Sequence, residues 1–372
     1  MKLLEETAAA TSLREGVEGV RRILAAAARS ENTPLKELAQ QVHMPLPVVS
    51  AVRRELEKRG VFTRHKGICL TKQGTAIAHE LGVTVTETET ETNDALSILQ
   101  MINTEMPEVD VALDQAFALP ETSLRRVTYA NRHDAIAGRN VIFIGDDDLT
   151  SIAIALLLRA GPQSQRLVVV DIDQRIIELI NTVSERYGLN IECFIHDARD
   201  PLPAELQGDF HTFFTDPPYT LAGLELFLAR AKEALQAGPG KQGFLSFGHK
   251  DPDTDLGVFQ NIGRFGLVPK EIIDDFNTYR GGTIIGNVSR MIRLTSTSLS
   301  TQSVLRYEES IYTGVFNPSH RIYICTSCGE RNRVGSDCSH INIETLKAAG
   351  CPKCKQTKFN LAEKISKEKN SE

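Results

Sequence analysis

Three stretches of this chain carry side chains whose types and spacing suit chemistry. Gly145-Asp146-Asp147-Asp148 sets three carboxylates in a row after the apolar run Val141-Ile-Phe-Ile144. A carboxylate takes a proton from an amine and attracts cations. Asp216-Pro217-Pro218-Tyr219 follows a second apolar run, Phe210 to Phe214. Its acid accepts an N–H, its prolines stiffen the turn, and its ring packs on a substrate or supports a cation. Cys325-Thr-Ser-Cys328 and Cys351-Pro-Lys-Cys354 are separated by 22 residues, the spacing of a tetrahedral zinc ribbon. Four thiolates leave no open coordination position, so the zinc expected there is structural. Cys338 and His340 lie between the pairs; either is able to replace a ligand, and the simpler reading makes both bystanders.

The elements that must position these groups read as an α/β fold. Val141 to Ile144 is a buried parallel strand, Gly145 ends it, and Thr150 to Arg159 is a helix. Strand, glycine turn and helix build a nucleotide site at the carboxyl ends of a doubly wound sheet. The usual dinucleotide fingerprint has two more glycines; here aspartates hold those places. A helix N-terminus favours anions, so three carboxylates there argue against a dinucleotide and for a cationic ligand. Capping of the helix explains one aspartate well and three poorly. Arg166 to Val170 is the second strand and ends on Asp171-Ile-Asp173, where ribose hydroxyls are bound in such sheets. Ile191 to Ile195 is the third, followed by Asp197 and Ala198, where an adenine amino group finds its acceptor. Phe210 to Phe214, Gly243 to Phe247, and an antiparallel edge pair at 267–273 and 286–294 complete a Rossmann-like sheet.

Ahead of the sheet, helical patterns at 13–29, Leu35 to Val42 and Pro47 to Arg59 precede a hairpin around Lys66-Gly67. Three helices and a hairpin resemble a winged helix-turn-helix. Arg53, Arg54, Lys58 and Arg59 would be its DNA contacts; the bland reading is a dimerisation or lid module. Val83 to Thr92 alternates like a strand but is half acidic or polar, which suits an exposed linker. A helix is expected near Ala95 to Thr104, and Ser123 to Tyr129 leads towards the sheet. The expected domains are 1–82 (winged helix), 83–137 (linker and lead-in), 138–312 (catalytic sheet), 313–360 (zinc ribbon) and 361–372 (charged tail).

Composition bounds the function. The 372 residues include no apolar run long enough to span a membrane and begin without a signal-peptide pattern, and the paired cysteines suit a reducing cytoplasm. The net charge of −6 is uneven: residues 1–82 and 321–372 are each +4, leaving −14 in between. Such a core repels nucleic acid and attracts polycations. In aminomethyltransferases a turn of the Asp-Pro-Pro-Tyr type holds an amine next to a sulfonium carbon, so the sheet offers an adenosyl-sulfonium site beside an amine site. S-adenosylmethionine carries a carboxylate that its decarboxylated form lacks. A charge pair near 4 Å is worth about 4 kcal/mol at intermediate dielectric. An Asp-Asp-Asp loop without matching bases therefore favours the decarboxylated donor, which transfers aminopropyl groups to polyamines.

The pairing of Gly145-Asp-Asp-Asp148 and Leu149-Thr-Ser-Ile-Ala153 with Asp216-Pro-Pro-Tyr-Thr220 resembles the branched-chain polyamine synthases of thermophiles, the N4-bis(aminopropyl)spermidine synthases. Asp274 to Tyr279, with Gly281 and Gly282, looks like a family stretch too, and the resemblance runs from residue 13 to about 295. It implies two aminopropyl transfers from decarboxylated S-adenosylmethionine to N4 of spermidine, releasing methylthioadenosine. The sulfonium is a good leaving group, so no metal is expected to be needed at the chemistry. The resemblance places the catalytic acid among Asp146, Asp147 and Asp148; we assign Asp147, with Asp148 its main rival. Asp216 and Tyr219 would orient the amine, and Asp171 and Asp197 would hold ribose and adenine. A homodimer is the expected assembly, and the ribbon lies outside the family pattern. Two other classes share parts of this arrangement: an amino-methyltransferase on nucleic acid or protein, which would want a basic substrate face, and a polyamine-sensing DNA-binding regulator, which would show no turnover.

Overall fold

The computed structural model describes all residues except 31, 84–88, 160–163, 281–286, 300–306, 308–310, 313–319, 336–337, 341–342 and 366–372. Gly281, Gly282 and most of the charged tail thus lie outside the described residues, as does the middle of the linker. The chain divides into two compact units. The first comprises Met1–Glu108, Ala116–Pro217 and Leu224–Tyr307; the second comprises Val109–Gln115, Pro218–Gly223 and Glu308–Glu372.

The first unit opens with α1 (Lys2–Ala10), α2 (Gly16–Arg29), α3 (Leu35–Gln41) and α4 (Leu46–Lys58), then β1 (Phe62–Arg64), β2 (Ile68–Leu70) and α5 (Lys72–Glu80). Val20, Ile23, Leu24 and Ala27 of α2 recur at helical spacing and are all buried. Gly60 ends the α4 turn at φ +72°, a conformation that suits glycine. The other face of α2 is ionic. Arg21 pairs with Asp134 at 2.9 Å, and Glu18 receives Arg139 at 2.6 Å and Lys241 at 2.8 Å, all of them buried. Burial opposes ionisation of Glu18, but the two cations prevail and hold its pKa down at about 2. These pairs fasten the helical module to the residues that lead into the sheet. The basic residues of α4 are also engaged: Arg53 binds Glu57, Lys58 binds Glu55, and Arg59 binds Glu55 and Glu6.

After α6 (Glu89–Asn103) and α7 (Pro120–Arg132) comes the sheet: β3 (Asn140–Ile144), β4 (Arg166–Asp171), β5 (Glu192–Ile195), β6 (Thr212–Thr215), β7 (Gln242–Phe247), β8 (Leu267–Thr278) and β9 (Val288–Ser296). Its order is β5-β4-β3-β6-β7-β9-β8; the first five strands run parallel, and β9 is antiparallel to both β7 and β8. Val141, Ile142, Phe143 and Ile144 are all buried, as a strand covered on both faces requires. The covering helices are α8 (Thr150–Leu157), α9 (Gln174–Tyr187), α10 (Leu221–Ala234) and α11 (Pro252–Arg264). The chain leaves β3 in one direction through β4 and β5, then returns to its other side at β6. That reversal opens a crevice at the carboxyl ends of β3 and β6, where such sheets bind ligands.

The second unit holds a three-stranded antiparallel sheet, β11 (Arg331–Val334), β10 (His320–Cys325) and β12 (Phe359–Ile365), in that order, with α12 (Ile343–Ala349). Tyr323, Val334 and Leu346 form its small core. No helix among the described residues is long and apolar enough to cross a membrane.

Several elements differ from the sequence reading. The lead-in at Ser123–Tyr129 is the body of helix α7, which begins with a proline in its first turn. Helices α1, α5, α11 and α12 are additional. Strand β6 starts two residues later than expected, because Phe210 forms only an isolated bridge to Leu235.

Candidate active site

The carboxyl ends of β3, β4 and β6 bring five of the expected acids of the first unit together: Asp146, Asp147, Asp148, Asp171 and Asp216. Gly145 makes the turn out of β3 at φ +77°, and its N–H bonds Val170 O at 2.8 Å. A Cβ there would be forced into strained backbone. The three aspartates that follow do three different things. Asp146 is buried and accepts the N–H groups of Thr150 at 2.9 Å and Ser151 at 3.0 Å. It satisfies two of the orphan donors at the start of α8, so the capping role falls to this residue. Asp148 is buried and fully engaged: Oδ1 accepts the N–H of Ala118 at 2.6 Å and Oδ2 a short bond from Arg126. Its carbonyl accepts the hydroxyl of Ser123 at 2.7 Å.

Asp147 stands between them, partly buried. Its side chain makes no hydrogen bond among the described residues. Burial and the charges of Asp148, Asp171, Asp216 and Asp146 push its pKa well above the ordinary carboxyl value. Burial also raises Asp146, to about 8, and raises Asp171. The site is thus an excess of carboxyls crowded in low dielectric, the condition that a cationic ligand relieves.

Asp171 closes β4. Its oxygens accept the backbone N–H groups of Asp146 at 3.0 Å and Asp173 at 2.9 Å. Asp173, buried, caps α9 through the N–H of Arg175 and pairs with that side chain at 2.6 Å. Asp197 lies in the turn after β5, where Arg199 binds it; burial opposes the charge, but the guanidinium holds its pKa below the usual range. The carbonyl of Ala198 accepts from Arg230 at 2.7 Å. Asp173 and Asp197 therefore each hold an arginine two residues on, and Asp171 is the acid of this set tied directly to the Gly145 loop.

Asp216 ends β6. Its Oδ2 accepts from Arg126 Nη2 at 2.9 Å and from the Tyr279 hydroxyl at 2.6 Å. Pro217 is buried beside it, whereas Pro218, buried, and Tyr219, partly buried, belong to the second unit.

Arg126 on α7 was not legible in the sequence. One guanidinium binds Asp148, Asp216 and, through Nε at 2.8 Å, Asn277 Oδ1. Burial opposes its charge, but Asp148, Tyr279 and Asp216 outweigh it and hold the pKa well above normal. The Tyr279 proton goes to Asp216, so Ser289 Oγ, 2.7 Å away, donates to the phenol and accepts from Asn277 Nδ2 at 3.0 Å. This corrects the expectation of an aspartate loop without a matching base: Arg126 is such a base, and two of the site's carboxylates already occupy it.

In the second unit, the sulfurs of Cys325, Cys328, Cys351 and Cys354 lie within 4.8 Å of one another. The pairs Cys325–Cys354 and Cys328–Cys351 are 3.5 Å and 3.6 Å apart. Tetrahedral Zn–S bonds of about 2.3 Å place sulfurs roughly 3.8 Å apart, so the four thiols fit a metal ion.

A Rossmann-like sheet with a cluster of carboxyls at its switch point fits a transferase of the adenosyl-sulfonium class with a cationic substrate. Residues 94–322 match the branched-chain polyamine synthase A C-terminal domain. The chain is 33% identical over 254 residues to the N(4)-bis(aminopropyl)spermidine synthase of Thermococcus kodakarensis, spanning 63% of this chain and 70% of that protein. Methanocaldococcus jannaschii has a protein of the same name, 32% identical over 253 residues, and also an uncharacterized protein 34% identical over 386 residues. The latter match spans 98% of this chain and 94% of that one. The branched-chain polyamine synthase of Thermus thermophilus, in complex with N4-aminopropylspermidine and 5'-methylthioadenosine, superposes with a TM-score of 0.55 at 27% identity, covering 84% of this chain and 96% of that one. The chain belongs to the branched-chain polyamine synthase family.

Proposed function

We infer that this protein is an aminopropyltransferase that moves aminopropyl groups from decarboxylated S-adenosylmethionine to the secondary N4 amine of spermidine, giving N4-aminopropylspermidine, then N4-bis(aminopropyl)spermidine, and methylthioadenosine. One observation carries the assignment of roles. In a chain of this family, Asp147 is the carboxyl of the acidic loop that no protein donor occupies among the described residues, at the crevice between β3 and β6.

In the reaction, the neutral N4 nitrogen attacks the propyl carbon bonded to the sulfonium. The new C–N bond forms as the C–S bond breaks, its electron pair stays on sulfur, and methylthioadenosine leaves. Asp147 takes the proton from N4, and its raised pKa brings it closer to the amine it must deprotonate. Asp216 is assigned to orient the amine. Holding N4 in line with the propyl carbon supplies much of the acceleration. Asp171 and Asp197 are assigned to the donor's ribose and adenine, with Gly145 leaving room for its approach. Zinc held by Cys325, Cys328, Cys351 and Cys354 has a structural role, and the expected assembly is a homodimer.

A second reading rests on the two relatives in Methanocaldococcus jannaschii. The one that matches nearly the whole chain is distinct from the one named as the synthase, which fits the same transfer to a different polyamine. Both readings are tested by following polyamine-dependent release of methylthioadenosine against a panel of acceptors. Release with spermidine favoured over other chain lengths supports the first; release that ignores spermidine supports the second.

A further inference from the structure

The two motifs that carry the chemistry are joined by a side chain from neither. Arg126 lies 22 residues before Asp148 and 90 before Asp216, yet its Nη1 reaches one and its Nη2 the other. Asn277 fixes Nε, and Tyr279 binds the same Asp216 oxygen as Nη2 does. Arg126, Asp148, Asn277, Tyr279 and Ser289 are all buried. Because the guanidinium is planar, fixing its three nitrogens also fixes the separation of the two carboxylates. One of these carboxylates sits in the loop after β3 and the other at the end of β6, the two sides of the crevice. Asp147 is the residue next to Asp148 in that loop.

We propose that Arg126 is a positioning residue for the transfer: by holding Asp148 and Asp216 on one guanidinium it sets the two sides of the crevice and leaves Asp147 as the carboxyl offered to the amine. The inference rests on the aminopropyl-transfer reading. It adds that the loop's acidity is divided. Asp146 serves the helix, Asp148 serves Arg126, and Asp147 serves the substrate. The titratable groups around the crevice are Asp146, Asp147 and Asp148 of the loop, Asp171 of β4, Asp216 of β6, and Tyr279 just past β8. Arg126 is the cation bound among them, so its removal makes every proton in the cluster harder to lose.

The test measures aminopropyl transfer, and its dependence on pH, for the full-length protein and for Arg126→Gln, Arg126→Gln/Asp148→Asn and Arg126→Lys. In Arg126→Gln, kcat should fall at least about tenfold, and the acid limb of the pH profile should move to higher pH. The double variant removes one charge of each sign and keeps an amide pair in their place, so it should regain at least about tenfold over the single variant. A residue that merely fills the core would lower thermal stability and leave the acid limb where it was. An unmoved limb, or a double variant no better than the single one, overturns the inference. If Arg126→Gln does not fold, Arg126→Lys decides: it keeps the charge but not the planar fork that reaches both carboxylates, so kcat should fall at least about tenfold while the donor KM stays near the wild-type value, and an unchanged kcat overturns the inference. Absence of transfer by the wild-type protein would instead bring down the functional reading, and this inference with it.

Discussion

The carboxylate of Asp171 accepts the backbone N–H of Asp146 at 3.0 Å. Through that bond the end of β4 holds the start of the acidic loop, and the other oxygen of the same carboxylate holds the N–H of Asp173. An acid assigned to the ribose thus also sets the loop that carries Asp147. Asp171→Asn leaves one acceptor oxygen for two N–H donors, so the loop loses one tie. The KM for the donor should rise about tenfold, with kcat changed less. Steady-state kinetics with decarboxylated S-adenosylmethionine checks this, and an unchanged donor KM would remove Asp171 from the donor site.

Asp147 and Asp148 are neighbours with opposite surroundings, and their amide variants should fail in different ways. Asp147→Asn removes a crowded charge that has no counter-ion, so turnover should fall roughly 10²–10⁴-fold while thermal stability holds or rises. Asp148→Asn leaves Arg126 without one of its two anions; breaking a buried pair costs about 3–5 kcal/mol, so its melting temperature should drop. Thermal melts and single-turnover rates on both variants separate the roles. A fully active Asp147→Asn would move the base to Asp216 or outside the loop.

What was legible in the sequence follows from distance along the chain. The strand, glycine and helix at 141–159 announce themselves locally, since the apolar run and Gly145 are contiguous, and so do the paired cysteines. Arg126 carries no such mark. It looks like any arginine of an amphipathic helix, and its partners come from β3, β6 and the end of β8. Helix α7 had a usable signal, Pro120 followed by Glu121 in the first turn, but the Arg-Arg-Val-Thr run within it reads equally well as extended. Which aspartate caps, which pairs and which stays open depends on side-chain direction in a turn bounded by Gly145 at φ +77° and a left-handed Leu149 at φ +54°, and sequence spacing does not encode that.

The four thiolates should hold about one zinc per chain. Metal analysis of purified protein checks the count, and Cys351→Ser should lose most of it. Chelation should alter the second unit's circular dichroism while the seven-stranded sheet keeps its melt. A metal-free preparation whose four thiols alkylate readily would contradict the assignment.

The raised carboxyls make a prediction about pH. Burial lifts Asp146 from 3.8 to about 8 and, with its neighbours' charges, lifts Asp147 well above 3.8. A carboxyl raised on folding contributes stability that is fully present below its unfolded pKa and lost as pH rises through the folded value. The ligand-free protein therefore loses that contribution between about pH 4 and pH 8, where these groups ionise without counter-ions. A bound polyamine supplies them, so the rise in melting temperature caused by spermidine should be larger at about pH 8 than at about pH 5.5. An equal rise at both would show that the crowded acids do not meet the polycation.

The central claim concerns which group moves and to what. Full-length protein incubated with spermidine and, separately, decarboxylated or intact S-adenosylmethionine gives products that mass spectrometry distinguishes directly. Aminopropyl transfer to N4 predicts spermidine heavier by one and then two aminopropyl groups with the decarboxylated donor, branching at N4 on fragmentation, and no methylated product with the intact donor. Methyl transfer from the intact donor, or extension at a terminal nitrogen, would contradict it.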